Sequence, residues 1–196
     1  MSDPELNIIQ SATGMDGVIA SGNTPLWIVQ PETLGAPLTD QATTFPLSAL
    51  TTATDTVKAD CHMNMDGFSA TRTLTNRDRK RMCEKFTQSV KTGESIDLTL
   101  SAIYDQQEDA EELINAVYTA LPEGQTVYVV QAFGWDSQKP VTAETKVDVY
   151  RMNVQQRSKN QPVDGEDLMF TATGSGDLYL QDVKLCLLYT SPSPRD

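Results

Sequence analysis

The stretch that most constrains the fold runs from Ser95 to Phe133. From Ser95 to Tyr104 the chain alternates strictly, with Ile96, Leu98, Leu100, Ala102 and Tyr104 on one side and Ser95, Asp97, Thr99 and Ser101 on the other. That period of two predicts a strand with one dry and one wet face. Asp105 and Glu108 follow at capping-box spacing, ahead of Ala110, Leu113, Ile114, Val117, Tyr118 and Leu121 at helical intervals. The pattern predicts an amphipathic helix of about four turns, with Glu108, Glu111, Glu112 and Asn115 toward solvent. Pro122 and Gly124 end it, and the β-branched and aromatic run from Thr126 to Phe133 reads as a second, more deeply buried strand.

Strand signals dominate the rest of the chain. Leu26 to Gln30, Thr56 to Asp60 and Phe68 to Leu74 read as strands. Arg81 to Lys91 reads as another, joined by a hairpin turn at Thr92-Gly93 to its antiparallel neighbour beginning at Ser95. Thr145 to Gln155 sets Val147 and Val149 against Tyr150, Met152 and Val154, so both of its faces are expected to be covered. Glu166 to Thr173 and Asp177 to Leu185 read as strands separated by a Gly174-Ser175-Gly176 turn. The expected class is mainly β (α+β): an antiparallel β-sandwich or barrel of seven or eight strands with one flanking α-helix.

At 196 residues and 39% apolar, the chain is long enough for one domain with a core. Residues 1–55 read as an N-terminal arm followed by a Pro- and Thr-rich segment, in which Pro31 to Thr54 is expected to be an exposed loop. Residues 56–185 form the β-domain. Residues 186–196 (CLLYTSPSPRD) resemble one reading frame of a transposon-end sequencing adapter and are set aside from fold reasoning as an artefact.

Charge and residue inventory narrow the chemistry. The formal net charge is -12, which repels nucleic acid and anionic membranes. The local cluster Arg77, Arg79, Lys80 and Arg81, with Asp78 inside it, reads as a solvated loop or a subunit-contact patch. No run approaches 18 apolar residues and the start MSDPELN is polar, so a soluble protein made in a cytoplasm is expected. Cys61, Cys83 and Cys186 have no CxxC spacing and read as free thiols or small core residues. His62 is the one histidine, which leaves no His-based triad or multi-His metal site; beside Cys61 it reads as a loop or surface residue. Asp97, Asp105 and Asp109 sit near one strand-to-helix corner, but capping and a strand's wet face account for them. Asp164-Gly165-Glu166-Asp167 falls short of calcium-loop spacing, and no phosphate-binding or nucleophile-elbow motif is present. No catalytic residue, cofactor or metal is expected.

The passage from Asn115 to Gly124 running into Thr126–Val130, the Lys146–Met152 strand and the Phe170–Gly174 strand together resemble the major tail tube proteins of long-tailed bacteriophages, especially those infecting actinobacteria. The resemblance covers roughly Thr56 to Leu185. It implies a virion protein assembled in the host cytoplasm, whose subunits join sheets edge to edge into six-membered rings. Those rings stack into a tube that DNA traverses without specific binding, with tape-measure and tail terminator proteins as partners and no membrane. The polar residues Ser95, Asp97, Thr99 and Ser101 are then candidates for a lumen or subunit-interface face. Other ring-forming virion proteins (tail terminator, head decoration or baseplate component) share this β-rich pattern. So does a monomeric ligand-binding sandwich, for which Trp27 and Trp135 are the available aromatics.

Overall fold

The structure is a computed structural model and describes residues 18–83 and 85–187. The expectations for the arm up to residue 17 and for residues 188–196 lie outside those residues. Eight strands make one sheet: β1 (Leu26–Val29), β2 (Thr44–Pro46), β3 (Thr56–Lys58), β4 (Phe68–Arg79), β5 (Gln88–Ile103), β6 (Thr126–Gln131), β7 (Lys146–Lys159) and β8 (Met169–Cys186). The order is β3-β1-β6-β7-β8-β5-β4, antiparallel throughout, with β2 added parallel beside the end of β8. Cys186, grouped above with the segment set aside, is the last residue of β8 and pairs with Pro46. Two short helices accompany the sheet, α1 (Ser48–Thr51) and α2 (Ala116–Ala120).

The sheet is strongly curled. In a flat sheet four strand spacings, about 19 Å, would separate β1 from β5, yet α2 touches both. The concave face therefore closes on a core of Ile28, Leu98, Leu100, Val127, Val129, Met152 and Phe170, capped by Val117 and Leu121. The opposite face of the β1-β6-β7 half is equally apolar, with Trp27, Val29, Tyr128, Val130, Val147 and Val149. This two-sided pattern is why Thr126–Gln131 reads as a continuous apolar run and why the β7 residues alternate between two buried environments.

That second face needs a cover, and the segment from Pro31 to Thr54 supplies it, which corrects its reading as an exposed loop. Phe45 and Ala49 are fully buried there, with Leu38 and Leu50 packed around them. Leu38 N donates to Tyr128 Oη at 3.2 Å, and Arg151 Nη1 donates to Leu38 O at 3.4 Å. Arg151 is itself held by Asp177 through Nε (2.6 Å) and Nη2 (2.7 Å), a two-pronged pair. The irregular backbone is thus pinned by side chains of the strands beneath it.

Two predicted turns are strand interior. Thr92-Gly93 is not a hairpin turn: β5 runs unbroken for 16 residues, and Thr92 is the extra residue of a β-bulge opposite Thr75 and Asn76. Its hydroxyl donates to Thr75 O at 3.1 Å. The reversal falls instead between Arg79 and Gln88, so β4 extends through Arg77, and Gln88 to Lys91 belongs to β5 rather than to a separate strand. Likewise Gly174-Ser175-Gly176 lies inside β8, an unbroken strand of 18 residues. A Cβ on Gly174 would stand 2.2 Å from the Asn153 carbonyl oxygen, so glycine serves a close approach of β7 to β8.

The four-turn helix is also replaced. Residues 105–112 are irregular, a 3-10 turn spans Leu113–Asn115, and α2 is only five residues long. Asp105 caps no helix; its Oδ1 accepts from Gln107 N at 2.9 Å, an Asx turn at the strand's end. Asn115, expected toward solvent, is 2% exposed. Its amide nitrogen donates to the carbonyls of Asp105 (2.8 Å), Glu108 (3.2 Å) and Asp109 (3.1 Å), while its oxygen accepts from Asp105 N (3.1 Å). One buried amide satisfies four backbone groups of the loop, an arrangement that outweighs the weak preference for helix.

Candidate functional site

The broadest chemically distinctive feature is the convex face of β7, β8, β5 and β4. Residues directly opposite one another in antiparallel pairs share a face, so the register defines it. Asp97 stands opposite Thr71 on β4 and Ser175 on β8; Thr99 stands between Ser69 and Thr173; Ser101 faces Thr171. Asn153, Gln156 and Ser158 of β7 continue the row against Ser175, Thr173 and Thr171. Ser95 and Asp97 are exposed, while Thr99 and Ser101 are half-buried by their neighbours.

These side chains are linked across strands. Ser101 Oγ lies 2.8 Å from Thr171 Oγ1, which donates onward to Asn160 Oδ1 at 2.8 Å, and Gln155 Nε2 donates to Ser175 Oγ at 3.0 Å. Where all four strands overlap, from Ile96 to Ile103 of β5, the face is a field of hydroxyls and amides in which Asp97 is the one charge. The four residues singled out from sequence therefore sit together as the central row. Their partners at positions 69, 71, 73, 171, 173 and 175 carried the same sign, small hydroxylated residues at every second place, but only pairing makes them one surface.

β4 is the outer strand of this face and pairs only with β5. Twelve residues of open edge are a template for another strand. Glu94 marks the point where the hairpin leaves the sheet, and it pairs with both Arg72 and Lys91. The Arg72 guanidinium, and then Lys91, hold its carboxyl down to about 2. A carboxylate so depressed stabilises the fold above its unfolded pKa and loses that contribution as pH falls from about 4.5 toward 2. The melting temperatures of wild type and Glu94→Gln are therefore expected to differ by a constant amount at neutral pH and to converge across that window. A gap independent of pH down to 2 would remove the ion pairs from the account.

The remaining candidates are dispersed. Asp97, in mid-strand, is not brought together with Asp105 and Asp109 at the strand's end, and among the described residues no group of three His, Cys, Asp or Glu is placed to hold a metal ion. His62, read as a loop or surface residue, lies in a short 3-10 turn between strands but is buried, which corrects the surface alternative; its Nε2 donates to Leu113 O at 2.9 Å, bracing the 3-10 turn there. Cys61 and Cys83 are exposed and so are not core residues. Trp27 is buried and Trp135 packs on the same cluster, so the two make no exposed aromatic site. No helix among the described residues is long and apolar enough to cross a membrane.

An open-edged, curled and largely antiparallel sheet whose distinctive surface is a broad polar face defines a mainly β protein. A family model described as phage tail tube protein matches residues 15–176. The chain belongs to the phage tail tube protein family, and with it to the structural components of phage tails. Its fold is similar to that of the SPP1 tail tube determined by solid-state NMR and cryo-EM, with a TM-score of 0.50 at 9% identity, over 87% of this chain and 82% of that one. No curated protein matches it.

Proposed function

We propose that copies of this chain join edge to edge into six-membered rings, and that the rings stack into the tail tube through which DNA leaves the capsid. Assembly takes place in the host cytoplasm, with tape-measure and tail terminator proteins setting tube length. The observation that carries this reading is the four-stranded face bearing Ser95, Asp97, Thr99 and Ser101, which we assign to the lumen, with the open edge of β4 as its neighbour-binding strand. Six copies of four strands make a barrel of about 24 strands. At about 4.8 Å between strands and a tilt near 40°, its backbone diameter is about 50 Å, wide enough for a double helix.

The lining suits passage. A wall of Lys or Arg would grip phosphates and retard the moving strand, whereas the hydroxyls and single carboxylate that each subunit presents where its four strands overlap offer no counter-charge there. Electron microscopy of the purified chain is expected to show long hollow filaments; a protein that stays monomeric at millimolar concentration would end this reading, and isolated rings would favour a terminator or decoration protein. Asp97→Lys is expected to leave tube assembly unchanged and to slow genome release several-fold in phage carrying it. Unaltered release from intact tubes would move the face away from the lumen.

A further inference from the structure

The connection from β3 to β4, residues 59–67, links the two ends of the strand order. Leu26 of β1 and Phe68 of β4 stand five places apart in that order, yet both line one cleft of about 220 Å³, so the curl brings the ends of the sheet together there. The connection is anchored on both sides: Ala59 N donates to Leu26 O at 2.8 Å, and Ser101 N donates to Gly67 O at 2.6 Å. Gly67 N donates to Asn64 O at 2.8 Å, closing a turn. A Cβ on Gly67 would stand 2.9 Å from Met63 Cβ, so the turn is packed down on Met63.

Sulfur is concentrated in this connection. The chain has seven methionines and three cysteines, and Cys61, Met63 and Met65 fall within five residues and line the same cleft. A further sulfur, Met169 Sδ, accepts from Asn64 Nδ2 at 3.7 Å. Core packing does not account for the set, because Cys61 and Met65 are exposed. Asp60 lines the cleft as well, and among the described residues its buried Oδ2 has no hydrogen-bond partner, Lys58 Nζ standing 3.5 Å away. A carboxylate oxygen so placed favours a cation beside the sulfurs.

Thiolate and thioether ligands select soft ions of the Cu(I) class. One thiolate with two thioethers carries a single negative charge, which a monovalent ion neutralises. Zn(II) would call on imidazole, but His62 is buried and gives its Nε2 to Leu113 O. We propose that this cleft is a binding site for a soft monovalent metal ion, Cu(I) or its chemical like, held by the Cys61 thiolate and the Met63 and Met65 thioethers. As the ion binds, the Cys61 S–H bond breaks, its proton passes to solvent and a metal–sulfur bond forms, with no electron transferred. The bound ion cross-links the connection and so fixes the join between the two ends of the sheet. Every ligand comes from one chain, so the site stands whether or not copies assemble into rings.

The test uses the full chain with Cys83→Ser and Cys186→Ser, which leaves Cys61 as its one thiol. Cu(I), kept reduced by ascorbate under nitrogen, is titrated in competition with a chromophoric Cu(I) chelator. One ion per chain and one proton released are expected, with X-ray absorption counting three sulfur neighbours around the copper. With free ion at about 100 times its Kd, the melting temperature is expected to rise by about 5–10 °C. Adding Met63→Leu and Met65→Leu is expected to weaken binding at least about tenfold and to reduce the sulfur count to one. Leucine replaces methionine at nearly equal volume, so the metal-free variant is expected to melt within a few degrees of its parent. Met65→Leu alone, at an exposed position, is expected to remove one sulfur neighbour and leave the fold untouched. Equal affinity with and without the two methionines, or a single sulfur neighbour in the parent, would reduce the site to an ordinary exposed thiol and overturn the proposal. Zn(II) held as tightly as Cu(I) would overturn it too.

Discussion

Gly174→Ala is expected to destabilise the protein by at least about 3 kcal/mol, more than any exposed substitution discussed here. The added methyl would stand 2.2 Å from the Asn153 carbonyl oxygen and 2.8 Å from Met152 Cε. The methionine end can swing away, but the carbonyl belongs to the backbone of β7, which β6 and β8 hold from both sides. Relief therefore requires prying β7 from β8 where a register shift already lies between Val154 and Gln156. For a chain of this size the expected fall in melting temperature is about 6–12 °C, read by circular dichroism or calorimetry. A variant melting within a degree of wild type would show that the two strands separate freely, and the close approach would lose its structural meaning.

Asn115→Ala separates the observed loop from the expected helix by the sign of its effect. On the solvent face of a helix alanine would be the better residue, raising stability by about 0.5 kcal/mol. In the structure the same change strips Asp105 N–H and the carbonyls of Asp105, Glu108 and Asp109 of their shared partner. The expected loss is about 2–4 kcal/mol, because the groups left behind are partly buried and water replaces the amide incompletely. Protease cleavage between residues 106 and 112 is expected to quicken in step. Asn115→Asp keeps the acceptor for Asp105 N–H but turns a carboxylate toward three carbonyls, so it is expected to fare no better. Glu112→Ala, on an exposed neighbour, is the control and is expected to shift stability by no more than about 0.5 kcal/mol. A stabilised Asn115→Ala would return the helix to the account.

Much of the sheet is legible from side-chain alternation. Ile96 to Tyr104 declares its dry face, Thr126 to Gln131 declares burial on both sides, and β7 sorts Val147 and Val149 from Tyr150, Met152 and Val154 as the structure does. Where reading fails, the residues concerned have two meanings. Thr-Gly serves a hairpin turn or a bulge, and Gly-Ser-Gly serves a turn or a tight crossing of backbones. Asp105-x-x-Glu108 serves a capping box or an Asx turn. The segment from Pro31 to Thr54 shows no periodicity because it follows the contour of the strands it covers and forms little regular structure of its own, although Phe45 and Leu38 are as apolar as any core residue.

The candidate face divides the same way. Ser95, Asp97, Thr99 and Ser101 are visible as one strand's wet side, and the basic run from Arg77 to Arg81 is visible as a cluster. The sequence by itself determined which residues avoid water, the mainly β class, and a family membership carried by short phrases along the strands, because these depend on local side-chain chemistry and its period. Tertiary structure alone decided that three further strands extend the polar row into a surface, that the basic run stands on a projecting hairpin, and that Cys61, Met63 and Met65 line one cleft where the two ends of the sheet meet. The physical reason is that a glycine, an amide or a charge acquires its role from what lies opposite it, and pairing between distant segments sets that neighbour.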